Sequence, residues 1–190
     1  MDVYINIDEI TEAENPLTYL LDLKERYPDF KATIFVALMR CSVEYVELLK
    51  SKDWLEVAIY GFYGKPRELE FYNASQLNDT FNKMEIIYTG HYDNGFKAPQ
   101  FAYTDYVYQM CLNKGLWIEM HPNHTKPFLT GLEYCQLAKD PNIFEFSGHA
   151  NNNMNDMKGI KQSYNLLTHT LDHIEDKEFK FCSDNLQVNP

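Results

Sequence analysis

Glycine and proline are scarce in this 190-residue chain, at 8 each, which excludes collagen-like repeats and the compositions of long disordered linkers. Positive charge is short as well: 17 Lys+Arg stand against 28 Asp+Glu, a formal net charge of −11. Such a chain repels phosphate backbones and anionic lipid, so nucleic acid and membrane are not expected as partners. No apolar run approaches the ~18–20 residues that a transmembrane helix requires. The opening MDVYINIDEI has neither the basic nor the apolar region of a secretory signal. Cysteine is limited to Cys41, Cys111, Cys135 and Cys182, with no CxxC pair. Zinc-ribbon and thioredoxin-type readings therefore drop out, and four free thiols in a reducing cytoplasm are expected. Aromatic residues are in excess, with 14 Tyr and 12 Phe. The length suits one domain spanning residues 1–190.

Short β-like runs alternate with helical patterns, without repeats or low-complexity tracts. Val3, Ile5 and Ile7 alternate with Tyr4, Asn6 and Asp8, the period of a strand. Asn15-Pro16 opens a helix with Leu17, Leu20, Leu21 and Lys24 at helical spacing. Residues 32–37 and 54–59 read as strands, with a helix capped by Ser42 between them. A helix is expected over about 76–87, an extended piece over 96–99, and a helix from Thr104 to Gly115. Strands are expected over 116–120, 143–147 and 179–182. Before the last, Ile160, Tyr164, Leu167, Leu171 and Ile174 form one apolar helical stripe. Alternation of this kind implies mostly parallel strands covered by helices, as a barrel or an open doubly wound sheet. Ligand chemistry then belongs at the carboxyl ends of the strands.

Four candidate ends follow. Asp8-Glu9 can hold a cation or divide the roles of base and ligand, although acidic pairs also serve as turns and helix caps. The aromatic loop Tyr60 to Glu68 suits stacking on a sugar face or plain surface packing. At residues 96–101, Pro99 fixes the backbone and Lys97 can orient a carboxylate. His149, after a strand and Gly148, has the intrinsic pKa range of a general acid and equally suits a structural role. His121 and His124, around Pro122, face the same side and are a possible metal pair without an evident local third ligand. His169 and His173 have the spacing of a two-ligand metal site, but they lie opposite the apolar stripe and read as a solvated face. The segment HTLDH also lacks the glutamate of a zinc-protease helix.

Taken in order, these strand ends resemble the polysaccharide deacetylase family (carbohydrate esterase family 4), over nearly the whole chain. The most specific stretch is FKAPQFAYTDYVYQMCLNKGLWIEMHP, Phe96 to Pro122, similar to the family's Arg-x-Pro strand, helix, "KG" turn and aromatic strand. YINIDEI, FKATIFV, WLEVAIYGFYG, SGHANN and FKFCSD resemble the remaining strands. The resemblance implies a distorted (β/α) barrel of about seven mostly parallel strands. It also implies hydrolysis of an N- or O-acetyl group on a sugar, assisted by a divalent metal such as zinc or cobalt. By the resemblance, Asp8 matches the base, His149 the acid, Lys97 an arginine that orients the base, and Glu9 a metal-binding aspartate. Tyr60 and Gly64 stand where the family places two metal histidines. Neutral tyrosine is a poor ligand and glycine offers none, leaving Glu68, His91, His121 and His124 as an alternative set. Tyr60, Phe62, Tyr63, Pro99 and Phe101, with Phe71 and Tyr72, are the expected sugar-stacking surface. Two readings result: a barrel that binds carbohydrate with reduced or absent hydrolysis, and an active metal-dependent deacetylase with Asp8 as base and His149 as acid.

Overall fold

The computed structural model describes residues 1–121, 123, 129–137, 140–149 and 157–189. The strands among them are β1 (Asp2–Ile10), β2 (Ala32–Val36), β3 (Leu55–Tyr60), β4 (Gly95–Lys97), β5 (Trp117–Glu119), β6 (Glu133–Cys135), β7 (Ile143–His149), β8 (Glu178–Lys180) and β9 (Leu186–Val188). The helices are α1 (Leu17–Arg26), α2 (Val43–Lys50), α3 (Ala74–Tyr88), α4 (Asp105–Lys114) and α5 (Met157–Asp172). One curled sheet runs β7-β1-β2-β3-β4-β5-β6-β9. Its pairs are parallel except β6 with β9. The short β8 pairs with residues 2–4 of β1, while β2 pairs with residues 6–10 of the same strand. This half-barrel matches the expected distorted (β/α) barrel, with two more strands than the alternation suggested. The additions are β6 and β9, three residues each.

Helix boundaries follow local chemistry. The Ser42 side chain accepts from the Tyr45 amide at the start of α2, and Asn73 and Gln76 form a reciprocal capping box on α3. Thr104 caps α4, and Gly115 ends it in the left-handed conformation, φ 65°.

The period of two in β1 separates two faces. Val3, Ile5 and Ile7 join Ile34, Val57, Ile59, Phe96 and Ile118 in the main core, against Leu20, Val46, Phe81, Met110 and Leu171 of the helices. The opposite face fills the inside of the curl with Tyr4, Phe35, Ala58, Tyr60, Trp117, Cys135 and Cys182. Polar side chains are buried there too, namely Asn6, Asp8, Thr33, Glu56, Lys97 and Glu119. The four cysteines are free and buried. No helix among the described residues is long and apolar enough to cross a membrane.

Candidate functional site

Parallel strands bring their carboxyl ends to one rim, and alternation turns every second side chain inward. Ile7 pairs with Ile34 and Ile10 with Val36, so Asp8 and Glu9 together face a single residue of β2. This is a β-bulge, and Glu9 sits in the left-handed region at φ 60°. Bulges of this kind re-aim side chains beside functional sites. On the other flank Asp8 is in register with His149 of β7. Tyr60 of β3 is in register with Lys97 of β4, and Glu119 ends β5.

Three of these groups form a buried charge cluster. Lys97 is 1% exposed. Its Nζ lies 2.8 Å from Asp8 Oδ2 and 3.2 Å from Glu119 Oε2. The rings of Phe101 and Phe35 close over the ammonium, 4.6 and 5.0 Å from their centroids. Asp8 Oδ1 has no hydrogen-bond partner among the described residues. Burial works against the ammonium, but Glu119 and Asp8 outweigh it and hold the Lys97 pKa above the ordinary lysine range. Burial pushes Glu119 up to about 7, with Lys97 pulling the other way and Asp8 adding to the rise. Burial raises Glu145, on the adjacent β7, as well.

The Glu119 shift makes stability depend on pH. The folded chain favours the protonated form, so this contribution is fully present below the ordinary carboxyl value of 4.5 and is lost as pH rises through about 7. The full swing is on the order of 3 kcal/mol. Urea denaturation from pH 5 to 8 should show stability falling, and Glu119→Gln should flatten that slope. An unchanged slope in the variant would remove Glu119 as its source.

A second carboxylate organises the loop after β3. Glu68 is buried, and its Oε1 accepts from the Phe62 and Tyr63 amides at 2.6 and 3.1 Å. Oε2 accepts from Tyr63 and Lys65 at 3.2 and 3.3 Å. Gly61 (φ 55°) is required beneath it, because a Cβ there would lie 2.2 Å from Glu68 Oε1 and 2.8 Å from the Pro99 ring. Glu68 therefore belongs to the loop's own framework rather than to a ligand set. The Tyr60 ring packs beside Gly64, where a Cβ would meet Ala37 Cβ at 3.1 Å and Tyr60 Cδ1 at 3.5 Å. Burial, with Asp8 and Glu9 adding, raises the Tyr60 pKa and keeps its hydroxyl protonated.

The expected stacking surface needs correction. Tyr60, Phe62 and Pro99 are buried, Phe62 edge-on to Tyr72, and none presents an open ring face. Phe101 is half-buried between Lys97 and His121. The open aromatic rings of this loop are Phe71, 82% exposed, and Tyr63, 37% exposed. His121 reaches the same rim, edge-on to Phe101 at 5.3 Å, and its Nδ1 accepts from the Asn123 amide. His124 lies outside the described residues. His91 pairs with Glu47 of α2 instead. Among the described residues, no three His, Cys, Asp or Glu side chains come together to hold a metal. Glu119 was missed by the sequence reading. Its signal was one carboxylate within the otherwise apolar run LWIEM.

No family sequence model and no curated protein matches the chain. Solved structures do match in shape. A family 4 acetyl xylan esterase from Clostridium thermocellum, in complex with a cobalt ion, superposes with a TM-score of 0.60 at 13% identity, over 97% of this chain and 89% of that one. A peptidoglycan N-acetylglucosamine deacetylase gives 0.63 at 11% identity, over 99% and 89%. A family 4 pseudoenzyme from Bacillus anthracis gives 0.61 at 10% identity, over 96% of this chain and 64% of that one. The chain thus has the fold of the carbohydrate esterase family 4 deacetylases, a fold found in catalytic and non-catalytic proteins alike.

Proposed function

We propose that this chain is a single-domain, cytoplasmic, carbohydrate-binding relative of the family 4 esterases whose strand-end site does not carry out metal-assisted deacetylation. The observation that carries this reading is the Tyr60 ring packed against Gly64, at the two positions where the resemblance places metal histidines. Neutral tyrosine and glycine do not supply that ligand set. The Lys97 ammonium on Asp8 also repels a second cation at the same carboxylate. These residues do not fit a divalent metal, and no chemical step is assigned to one.

The site's own groups suit recognition. Asp8 Oδ1, a buried acceptor without a partner among the described residues, can accept a hydrogen bond from a sugar hydroxyl at the rim. Phe71 and Tyr63 offer exposed ring faces in the segment that follows β3. Acetylated xylo- and chito-oligosaccharides are the ligands to try, given what the two deacetylases of this fold act on. The active-deacetylase reading draws on the same oxygen and on His149, in register with Asp8 in the sheet.

Two measurements on the tag-free chain separate them. Calorimetry should detect oligosaccharide binding, weakened by up to about tenfold in Phe71→Ala. Assays on acetylated oligosaccharides and acetyl esters should show no turnover with or without zinc or cobalt. Metal-stimulated turnover that disappears in Asp8→Asn overturns the proposal in favour of the enzyme. Absence of any saccharide binding removes the carbohydrate ligand.

A further inference from the structure

We propose that the carboxyl end of α5 carries a two-imidazole site, formed by His169 and His173, for a borderline divalent cation such as zinc, nickel or copper(II). The rings have centroids 4.5 Å apart at an interplanar angle of 58°, and both residues are exposed. Two imidazoles on one tetrahedral ion, with bonds of about 2.0–2.1 Å, have centroids on the order of 5 Å apart. Small rotations of two solvated side chains close that gap.

The polarity of the pair is set by the backbone. His173 Nδ1 lies 2.7 Å from the His169 carbonyl oxygen. A carbonyl only accepts, so Nδ1 carries the proton and the lone pair resides on Nε2, pointing away from the helix backbone. A ring nitrogen donating to a carbonyl while its opposite nitrogen binds is the usual support of a metal-bound histidine. The position also favours a cation, because the last carbonyls of α5 present the negative end of the helix. Asp172 adds charge beside them but is committed to Arg26 and Tyr27, so two protein ligands are available and water fills the remaining positions.

The site lies away from the Asp8 cluster. Helix α5 returns the chain from the carboxyl end of β7 to the start of β8, which runs parallel to β1. Its last turn is therefore at the opposite end of the sheet from Asp8 and Lys97. The inference is independent of the carbohydrate reading and has a practical bearing on it. A metal ion found in the purified protein is not by itself an active-site metal.

Equilibrium dialysis of the tag-free chain against nickel or zinc chloride tests this. One equivalent should bind, with at least a tenfold loss of affinity in His169→Ala and again in His173→Ala. Copper(II) should give a spectrum of equatorial nitrogen ligation that both variants lose. Absence of binding, or binding unchanged in the two variants, overturns the site. Binding lost in Asp8→Asn but retained in His169→Ala overturns it too, and returns the metal to the strand ends.

Discussion

Lys97→Met is expected to lower stability at neutral pH by about 3–5 kcal/mol, the usual penalty for removing one partner of a buried charge cluster. The variant keeps the stem's volume but leaves Asp8 and Glu119 buried without their ammonium. Phe35 and Phe101 lose the cation over their faces as well. Acidification should restore part of the loss, because a protonated Glu119 needs no counter-charge. A second variant separates charge from packing: Asp8→Asn, Lys97→Met and Glu119→Gln combined should recover much of the stability. Chemical denaturation at pH 5.5 and 7.5 supplies the measurement. A single variant with wild-type stability at both would mean that the cluster is worth nothing net.

Glu68→Ala is expected to have a comparable effect, about 3–5 kcal/mol, since amides of the Tyr60–Lys65 loop lose a charged acceptor while part of the loop stays packed. The change should be local as well as global. Amide exchange should accelerate at Phe62, Tyr63 and Lys65 ahead of the neighbouring strands. Glu68→Gln keeps a single carbonyl acceptor and should fall between wild type and alanine. Burial raises the Glu68 pKa despite its amide donors, so the fold favours the protonated carboxyl and acid should not loosen the loop as alanine does. If exchange in the loop is unaltered in Glu68→Ala, the carboxylate is not what organises it.

The fold was legible where side-chain period and capping acted together. Val3, Ile5 and Ile7 against Tyr4, Asn6 and Asp8 announced β1 and its two faces, and Thr104 with Gly115 bounded α4 to the residue. The strands β6 and β9 were not read from the sequence, and they pair antiparallel with each other at the edge of the sheet. At the rim, the resemblance implied that Lys97 orients Asp8, and the structure places the Lys97 ammonium 2.8 Å from Asp8 Oδ2. The aromatic loop was misread in part. Tyr60 and Phe62 look like ligand surface in sequence, yet alternation and Glu68 turn them inward. Glu68 itself resembles a spare metal ligand until its amide contacts are seen. Composition carries no information about which carboxylates find backbone donors.

The pairing of β1 has a consequence for how the chain reaches this state. Strand β1, which precedes its partners in the chain, is held on one side by β7 and on the other by β8 and β2. The Cys182 amide reaches Thr33 across 149 residues, and its thiol reaches Asn6 across 176. Strand β1 therefore cannot complete its contacts until β7, β8 and Cys182 have been synthesised. Closure of such distant pairs is slow. Until it occurs, the apolar residues of β1 and β2 depend on α1 and α2 for cover, making the nascent half-sheet the stage at which this protein is most exposed to aggregation.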